Sequence, residues 1–195
     1  MRTLSIIFIL TASICLGQTN IRVQPFDSTG NAITEFNNPV LQARLDSAVS
    51  LLIPLVNSKE FEVAFLKVRC LRKHGKSNCE IIDMIRSGQG NYSKSESMID
   101  LKVAFDFSSK EDESRTDKQN LIHLNARRVE DHGVDLLAAT LLKEYCHVLG
   151  FKNSPLKARL RVYTVPFRME RIVMNQLQKQ NSAKLSKDVI AQSVN

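Results

Sequence analysis

The stretch between residues 99 and 107 alternates regularly between apolar and polar side chains, and this pattern constrains the fold more than any other. Its apolar positions are Ile99, Leu101, Val103, Phe105 and Phe107. Successive side chains of a strand point to opposite faces, so the segment predicts a β-strand with one buried and one solvated face. A second strand, Leu-Ile-His-Leu-Asn, is predicted at residues 121–125. The chain is therefore expected to build a sheet.

Three helices are predicted before this sheet. Asn38 suits a helix N-cap and Pro39 suits the first helical position, so an amphipathic helix is expected to begin there. Residues 59–69 and 77–86 carry apolar side chains at helical spacing and predict two more helices. The polar residues 89–97, rich in glycine and serine, predict a loop.

Two further helices are predicted around and after a sequence motif near residue 147. The first begins at Asp131 or Gly133 and ends near Gly150, a residue suited to a helix C-cap. The last begins at residues 164–166. Helices, strands and helices in this order predict an α+β domain with N-terminal helices, a small sheet, a motif-bearing helix and a C-terminal helix.

Residues 1–17 have the features of an export signal. Arg2 supplies a positive charge, Leu4–Leu10 is apolar, and Cys15–Gly17 offers a small-residue cleavage site. A lipid anchor at Cys15 is less favoured because Ile14 is bulky where such processing needs a small residue. The apolar run is too short to span a bilayer, and no other segment is predicted to cross a membrane. We therefore expect a secreted or periplasmic protein.

The rest of the chain is expected to form one domain. Residues 18–37 contain turn-forming side chains with little periodicity and predict an N-terminal tether or a short hairpin. Residues 38–180 hold all of the predicted helices and strands. The polar residues 181–195 predict a flexible tail.

Three cysteines remain after removal of the signal: Cys70, Cys79 and Cys146. Because export leads to an oxidising compartment, Cys70 and Cys79 could close a small disulfide loop, which would leave Cys146 unpaired. Three buried free thiols are the alternative.

The net charge of +7 raises the question of a nucleic-acid partner. Basic residues concentrate at residues 67–76 and 157–171, without interleaved aromatic side chains for base stacking. These stretches therefore predict a solvated basic surface, and nucleic-acid binding is not expected.

Residues 139–153 nearly match the zinc-binding helix motif H-E-x-x-H-x-x-G-x-x-H. In that motif two histidines four residues apart share one helix face and bind zinc, and the glutamate acts as a general base. Glu144, His147 and Gly150 match, but Lys143 and Asn153 stand at the other two ligand positions. An ammonium group has hydrogen-bond donors only, so it cannot bind zinc as an imidazole does.

This helix, the strands before it and the Thr-Val-Pro-Phe segment at residues 164–167 resemble secreted bacterial zincin-type metallopeptidase-like proteins, over roughly residues 40–180. The resemblance implies a zincin-like fold in which Glu144 is a vestigial general base and His147 a vestigial metal ligand. Phe167 stands where such proteins often have a tyrosine. A catalytic zinc ion normally needs three protein ligands, so no cofactor is expected.

The other candidate metal ligands in the sequence are His74, His123, Asp131, His132 and Cys146. Cys146 directly precedes His147 in the sequence. Because adjacent side chains of a helix diverge by about 100°, the two should not bind one metal. An unusual zinc site that uses His123 or His132 stays open as an alternative.

Two orientations are open for Lys143. Its ammonium group could replace the lost metal charge, facing Glu144 and donating a hydrogen bond to Asn153, which would offset the desolvation of a buried carboxylate. Alternatively, the side chain extends into solvent.

Three functions follow from these observations. The leading hypothesis is a non-catalytic pseudopeptidase that keeps a cleft for a peptide or protein partner. The alternatives are an active zinc metallopeptidase with a non-standard ligand set, and an exported structural domain without a site. A zincin-like fold predicts that Glu144 and His147 line a concave cleft beside an edge strand.

Overall fold

The computed structural model describes residues 19–70, 73–88, 98–107, 114–153 and 162–193. Over these residues six helices and four strands confirm the predicted mixed α+β class. The strands are β1 (Asn20–Phe26), β2 (Met98–Asp106), β3 (Arg115–Thr116) and β4 (Leu121–Asn125). The helices are α1 (Pro39–Asn57), α2 (Lys59–Leu66), α3 (Asn78–Ser87), α4 (Ala126–Asp131), α5 (Val134–Val148) and α6 (Val165–Ser193). The predicted signal peptide at residues 1–17 and the predicted loop at residues 89–97 lie outside the described residues.

The strands form one mixed sheet in the order β1-β2-β4-β3. The central strand β2 runs parallel to both β1 and β4, and β3 pairs antiparallel with β4. Central position explains why the burial of β2 departs from simple alternation, since Val103, Ala104 and Phe105 are all buried. Phe107, predicted on the buried face, lies beyond the end of the strand and is 64% exposed.

The predicted N-terminal tether is wrong over residues 20–26, which form β1 along the side of β2. The residue before this strand is anchored as well. The backbone N–H of Thr19 donates to Oδ1 of Asn57 at 2.9 Å, and its hydroxyl donates to the carbonyl oxygen of Arg86 at 3.0 Å. A segment without periodicity thus gains its order from pairing with a strand that is distant in sequence.

The core forms mainly around α1, α5 and α6. The cap of α1 is confirmed, since the Asn38 side chain accepts hydrogen bonds from the N–H groups of Val40 and Leu41. By length and composition α1 could cross a bilayer. Its apolar face, however, including Leu41, Leu45 and Leu52, is packed inside the core. α5 packs between α1 and α6 and also contacts β3 and β4.

Three elements differ from the sequence-based expectations. β3 was not predicted, because two residues give no periodic signal. No helix was predicted at residues 126–131, but they form α4, whose N-cap Asn125 accepts a hydrogen bond from the N–H of Arg128. The predicted tail is helical to Ser193, and Asn181 in it donates to Oδ2 of Asp135 in α5 at 2.7 Å.

Candidate functional site

The residues at the motif positions of segment 143–153, which nearly matches the zinc-binding helix motif, lie together in a cleft of about 790 Å³. Lys143, Glu144 and His147 come from α5, and Asn153 follows that helix. Phe167 in the first turn of α6 also lines the cleft, as do Arg115 and Thr116 of the edge strand β3. The prediction that Glu144 and His147 line a concave cleft beside an edge strand is therefore confirmed.

The end of α5 turns the chain back toward this cleft. Gly150 has a φ of +89°, a left-handed conformation that glycine adopts without penalty. Its N–H donates to the carbonyl oxygen of His147, and the N–H of Phe151 donates to that of Cys146. These two bonds form a Schellman motif, so the predicted helix end at Gly150 is confirmed. The turn brings Asn153 to the cleft.

Glu144 is buried, with 2% of its surface exposed. The hydroxyl group of Thr116 donates a hydrogen bond to its Oε2 atom at 2.8 Å. Burial raises the pKa of the Glu144 carboxyl, although Lys143 and the Thr116 hydroxyl act in the opposite direction. Thr116 of β3 therefore holds the carboxyl group of Glu144 in position.

Lys143 points into the protein, and only 12% of its side chain is exposed. Its Nζ atom lies 3.6 Å from Oε1 of Glu144 and 3.4 Å from Oε1 of Glu170 in α6. It also stands 5.7 Å from the ring centroid of Phe167, within the range of a cation–π interaction. Of the two predicted orientations, the inward one is therefore found.

The predicted hydrogen bond from Lys143 to Asn153 is wrong. Oδ1 of Asn153 accepts a hydrogen bond from the hydroxyl of Thr164 at 3.3 Å instead of one from the ammonium group. The second acceptor of Lys143 is the carboxylate of Glu170, which the motif does not include. Because a carboxylate attracts an ammonium more strongly than a neutral amide does, the charged partner is preferred.

His147 is held in one orientation by the chain that follows α5. Its Nδ1 atom donates to the carbonyl oxygen of Phe151 at 2.7 Å, which assigns the proton to Nδ1 because a carbonyl can only accept. Burial lowers the pKa of the imidazole, and Lys143 lowers it further against the effect of this bond. The lowered pKa favours the neutral imidazole, and in this tautomer Nε2 is the acceptor nitrogen.

The residues of the cleft do not fit a catalytic zinc ion. His147 is the one imidazole that lines it, and Lys143 places a cation beside Glu144. No group of three His, Cys, Asp or Glu side chains able to hold a metal occurs in the part of the chain that the structure describes. Lys143 and Asn153 stand where the motif has histidines, and neither an ammonium nor a carboxamide binds zinc as an imidazole does.

The replacement ligands that the sequence left open are not brought to the cleft. His123 in β4 contacts Oδ2 of Asp117 through Nε2 at 3.1 Å. Cys146 is fully buried in the core, and burial raises the pKa of its thiol. His132 lines a separate pocket of about 70 Å³ behind Lys143. His74 and Asp131 do not line the cleft either.

All three cysteines of the described chain are free thiols. Cys79 is exposed, whereas Cys70 is half-buried, and burial raises the pKa of the Cys70 thiol to about 11. Of the two alternatives for Cys70 and Cys79, the structure has free thiols rather than a disulfide, although Cys79 is exposed and not buried as that alternative expected.

Sequence reasoning missed Thr116 and Glu170 as members of the site. Thr116 belongs to a strand too short to detect, and Glu170 looks like an ordinary charged residue of a surface helix. One signal was present for Glu170: a lysine at a buried ligand position requires a carboxylate from elsewhere.

The chain matches no protein-family model, no curated protein and no solved structure.

Proposed function

We propose that this protein is an exported, zincin-like pseudopeptidase whose cleft binds an extended segment of a peptide or protein partner without hydrolysing it. The position of Lys143 carries this proposal. Its ammonium group stands beside Glu144 in the cleft that also contains His147, in place of the first of two histidine ligands.

The edge strand supports the binding of an extended peptide. In the described chain β3 is the last strand of the sheet, so one side of it pairs with β4 and the other faces the cleft. The N–H of Asp117 donates to the carbonyl oxygen of Leu121. In an antiparallel pair, the backbone groups of successive residues point alternately toward and away from the partner strand, so those of Thr116 point away from β4. A peptide strand can add to such an edge through main-chain hydrogen bonds.

The absence of hydrolysis follows from the chemistry of the side chains. Sites of this kind cleave peptides with a metal-activated water that a glutamate deprotonates. Here the carboxyl of Glu144 is engaged by the Thr116 hydroxyl and lies beside the Lys143 ammonium. Neither group can activate a carbonyl as a Lewis acid.

One observation favours the second candidate, an active metallopeptidase with a different ligand set. The bond from Nδ1 of His147 to the Phe151 carbonyl is the type of contact that orients a metal-binding imidazole, and it leaves Nε2 free. Chelator-sensitive cleavage of peptides by the purified protein would support this candidate over the pseudopeptidase.

Binding of short capped peptides to the mature protein, followed by fluorescence polarisation, tests the proposal. Ser114→Pro removes a backbone donor beside β3, at the cleft, and Ser114→Ala is the matched control that retains it. We expect saturable binding that the proline variant weakens and the alanine variant keeps, with no cleaved product by mass spectrometry. Failure of all peptides to bind would favour an exported structural domain instead.

A further inference from the structure

We infer that the partner of this cleft is an acidic peptide, extended along β3, with glutamate or aspartate at alternate positions. This inference rests on the proposed peptide-binding function and adds the charge of the ligand. It starts from a difference between the charged side chains that line the cleft: the negative ones are paired within the protein, whereas the positive ones at the rim are exposed and weakly paired.

The carboxylates of the cleft are already engaged within the protein. Oδ1 of Asp117 accepts hydrogen bonds from the N–H groups of Gln119 and Leu121, at 2.8 and 3.0 Å, and its Oδ2 contacts His123. Glu144 is buried and bonded to Thr116. Neither carboxylate is therefore presented to a ligand as an unmatched negative charge.

The cations at the rim, in contrast, are exposed and available to a ligand. Lys118 lies in the turn after β3, and Lys152 lies after α5, so they project from two separate elements of the same cleft. Both are exposed, and neither has an ion-pair partner among the residues that the structure describes. Arg115 in β3 has 61% of its side chain exposed, and its ion pair with Asp106, the one it forms within the described residues, is long at 3.9 Å.

These three cations favour a ligand that supplies carboxylates. In an added strand alternate side chains point to one face, so acidic residues two apart can approach the same side of the cleft. Exposed ion pairs contribute modestly and mainly select the partner and speed its association. We therefore expect the main-chain hydrogen bonds to β3 to provide most of the binding energy, and the three cations to make the cleft prefer acidic peptides.

Three capped peptides that alternate valine with glutamate, glutamine or lysine test this inference. Fluorescence polarisation should give the glutamate peptide about tenfold tighter binding than the glutamine peptide, as two ion pairs of modest strength allow, and the preference should fall with added salt. Lys118→Glu with Lys152→Glu should remove the preference. The matched control, Lys67→Glu with Lys179→Glu, changes the net charge equally at exposed lysines of a different groove and should keep it.

The other outcomes separate the two proposals. Equal binding of the three peptides would overturn the acidic preference and leave peptide binding intact. No binding of any peptide would overturn both. An equal loss in the control variant, or tighter binding of a thymidine oligonucleotide that the cleft variant also weakens, would show a general polyanion surface and overturn the acidic-peptide inference.

Discussion

Nζ of Lys143 lies 3.4 Å from Oε1 of Glu170, so an ion pair joins α5 to α6. The same ammonium stands 3.6 Å from the buried carboxyl of Glu144. One cation therefore lies between two acidic groups from neighbouring helices. Its positive charge offsets part of the cost of burying the Glu144 carboxylate.

Replacement of Lys143 by methionine tests this role. Methionine is an unbranched side chain one atom shorter than lysine, so it fills most of the same space but leaves Glu144 and Glu170 without their shared cation. A broken buried pair is strongly destabilising. Because the two contacts are longer than direct hydrogen bonds, we expect a loss of about 1–3 kcal/mol in the free energy of unfolding. Urea denaturation measures it. Lys179→Met, at an exposed position of α6, is the control, and equal stability of both variants would contradict the role of Lys143.

The raised pKa of Glu144 predicts a pH dependence of stability. Since burial raises the folded-state pKa above the ordinary value of 4.5, the folded protein binds a proton more readily than the unfolded chain. Protonation of Glu144 therefore contributes to the free energy of unfolding. This contribution is fully present below the ordinary pKa and is lost as the pH rises through the folded-state pKa. Glu144→Gln should gain stability relative to the wild type across that window. Urea unfolding of both proteins over a pH series measures the difference, and a constant difference would contradict the assignment.

Gly150 provides a test of the turn that shapes the cleft. Gly150→Ala should destabilise the protein by about 1 kcal/mol, because its φ of +89° disfavours any side chain although no atom stands within 4 Å of an added Cβ. Gly150→Asn is the matched control, because asparagine adopts the left-handed conformation more readily than alanine. Thermal unfolding compares the two variants. A larger loss for Gly150→Asn would be inconsistent with the strain argument.

A restored metal site would test the geometry of the motif. We expect Lys143→His with Asn153→His to create a stoichiometric zinc site, because both positions line the cleft with His147. Calorimetric zinc titration measures the affinity. Asn153→His alone retains the ammonium group and should bind zinc weakly, and adding His147→Asn to the double variant should abolish the site. An inert double variant would mean that the similarity to a zinc helix does not extend to three dimensions.

Local signals in the sequence were enough to predict most helices and the strands β2 and β4. Asn38 and Pro39 mark the start of α1, and Gly150 marks the end of α5, because caps and turns depend on residues close together in the chain. The pairing of β1 with β2 could not be predicted, since it depends on contacts between segments far apart in sequence.

The candidate site was predictable only in part for the same reason. The motif identified Lys143, Glu144 and His147, which lie within one helix. Thr116 and Glu170 reach the site from other elements, and no local pattern marks either of them. Tertiary packing also decided that Lys143 pairs with a carboxylate rather than with Asn153.

The zinc content of the mature protein, purified without added metal and measured by elemental analysis, is the sharpest test of the pseudopeptidase proposal. We expect far less than one zinc per chain, because the Lys143 ammonium lies beside Glu144 and His147 is the single imidazole among the described residues that line the cleft. Stoichiometric zinc that a chelator removes and that His147→Asn abolishes would contradict it.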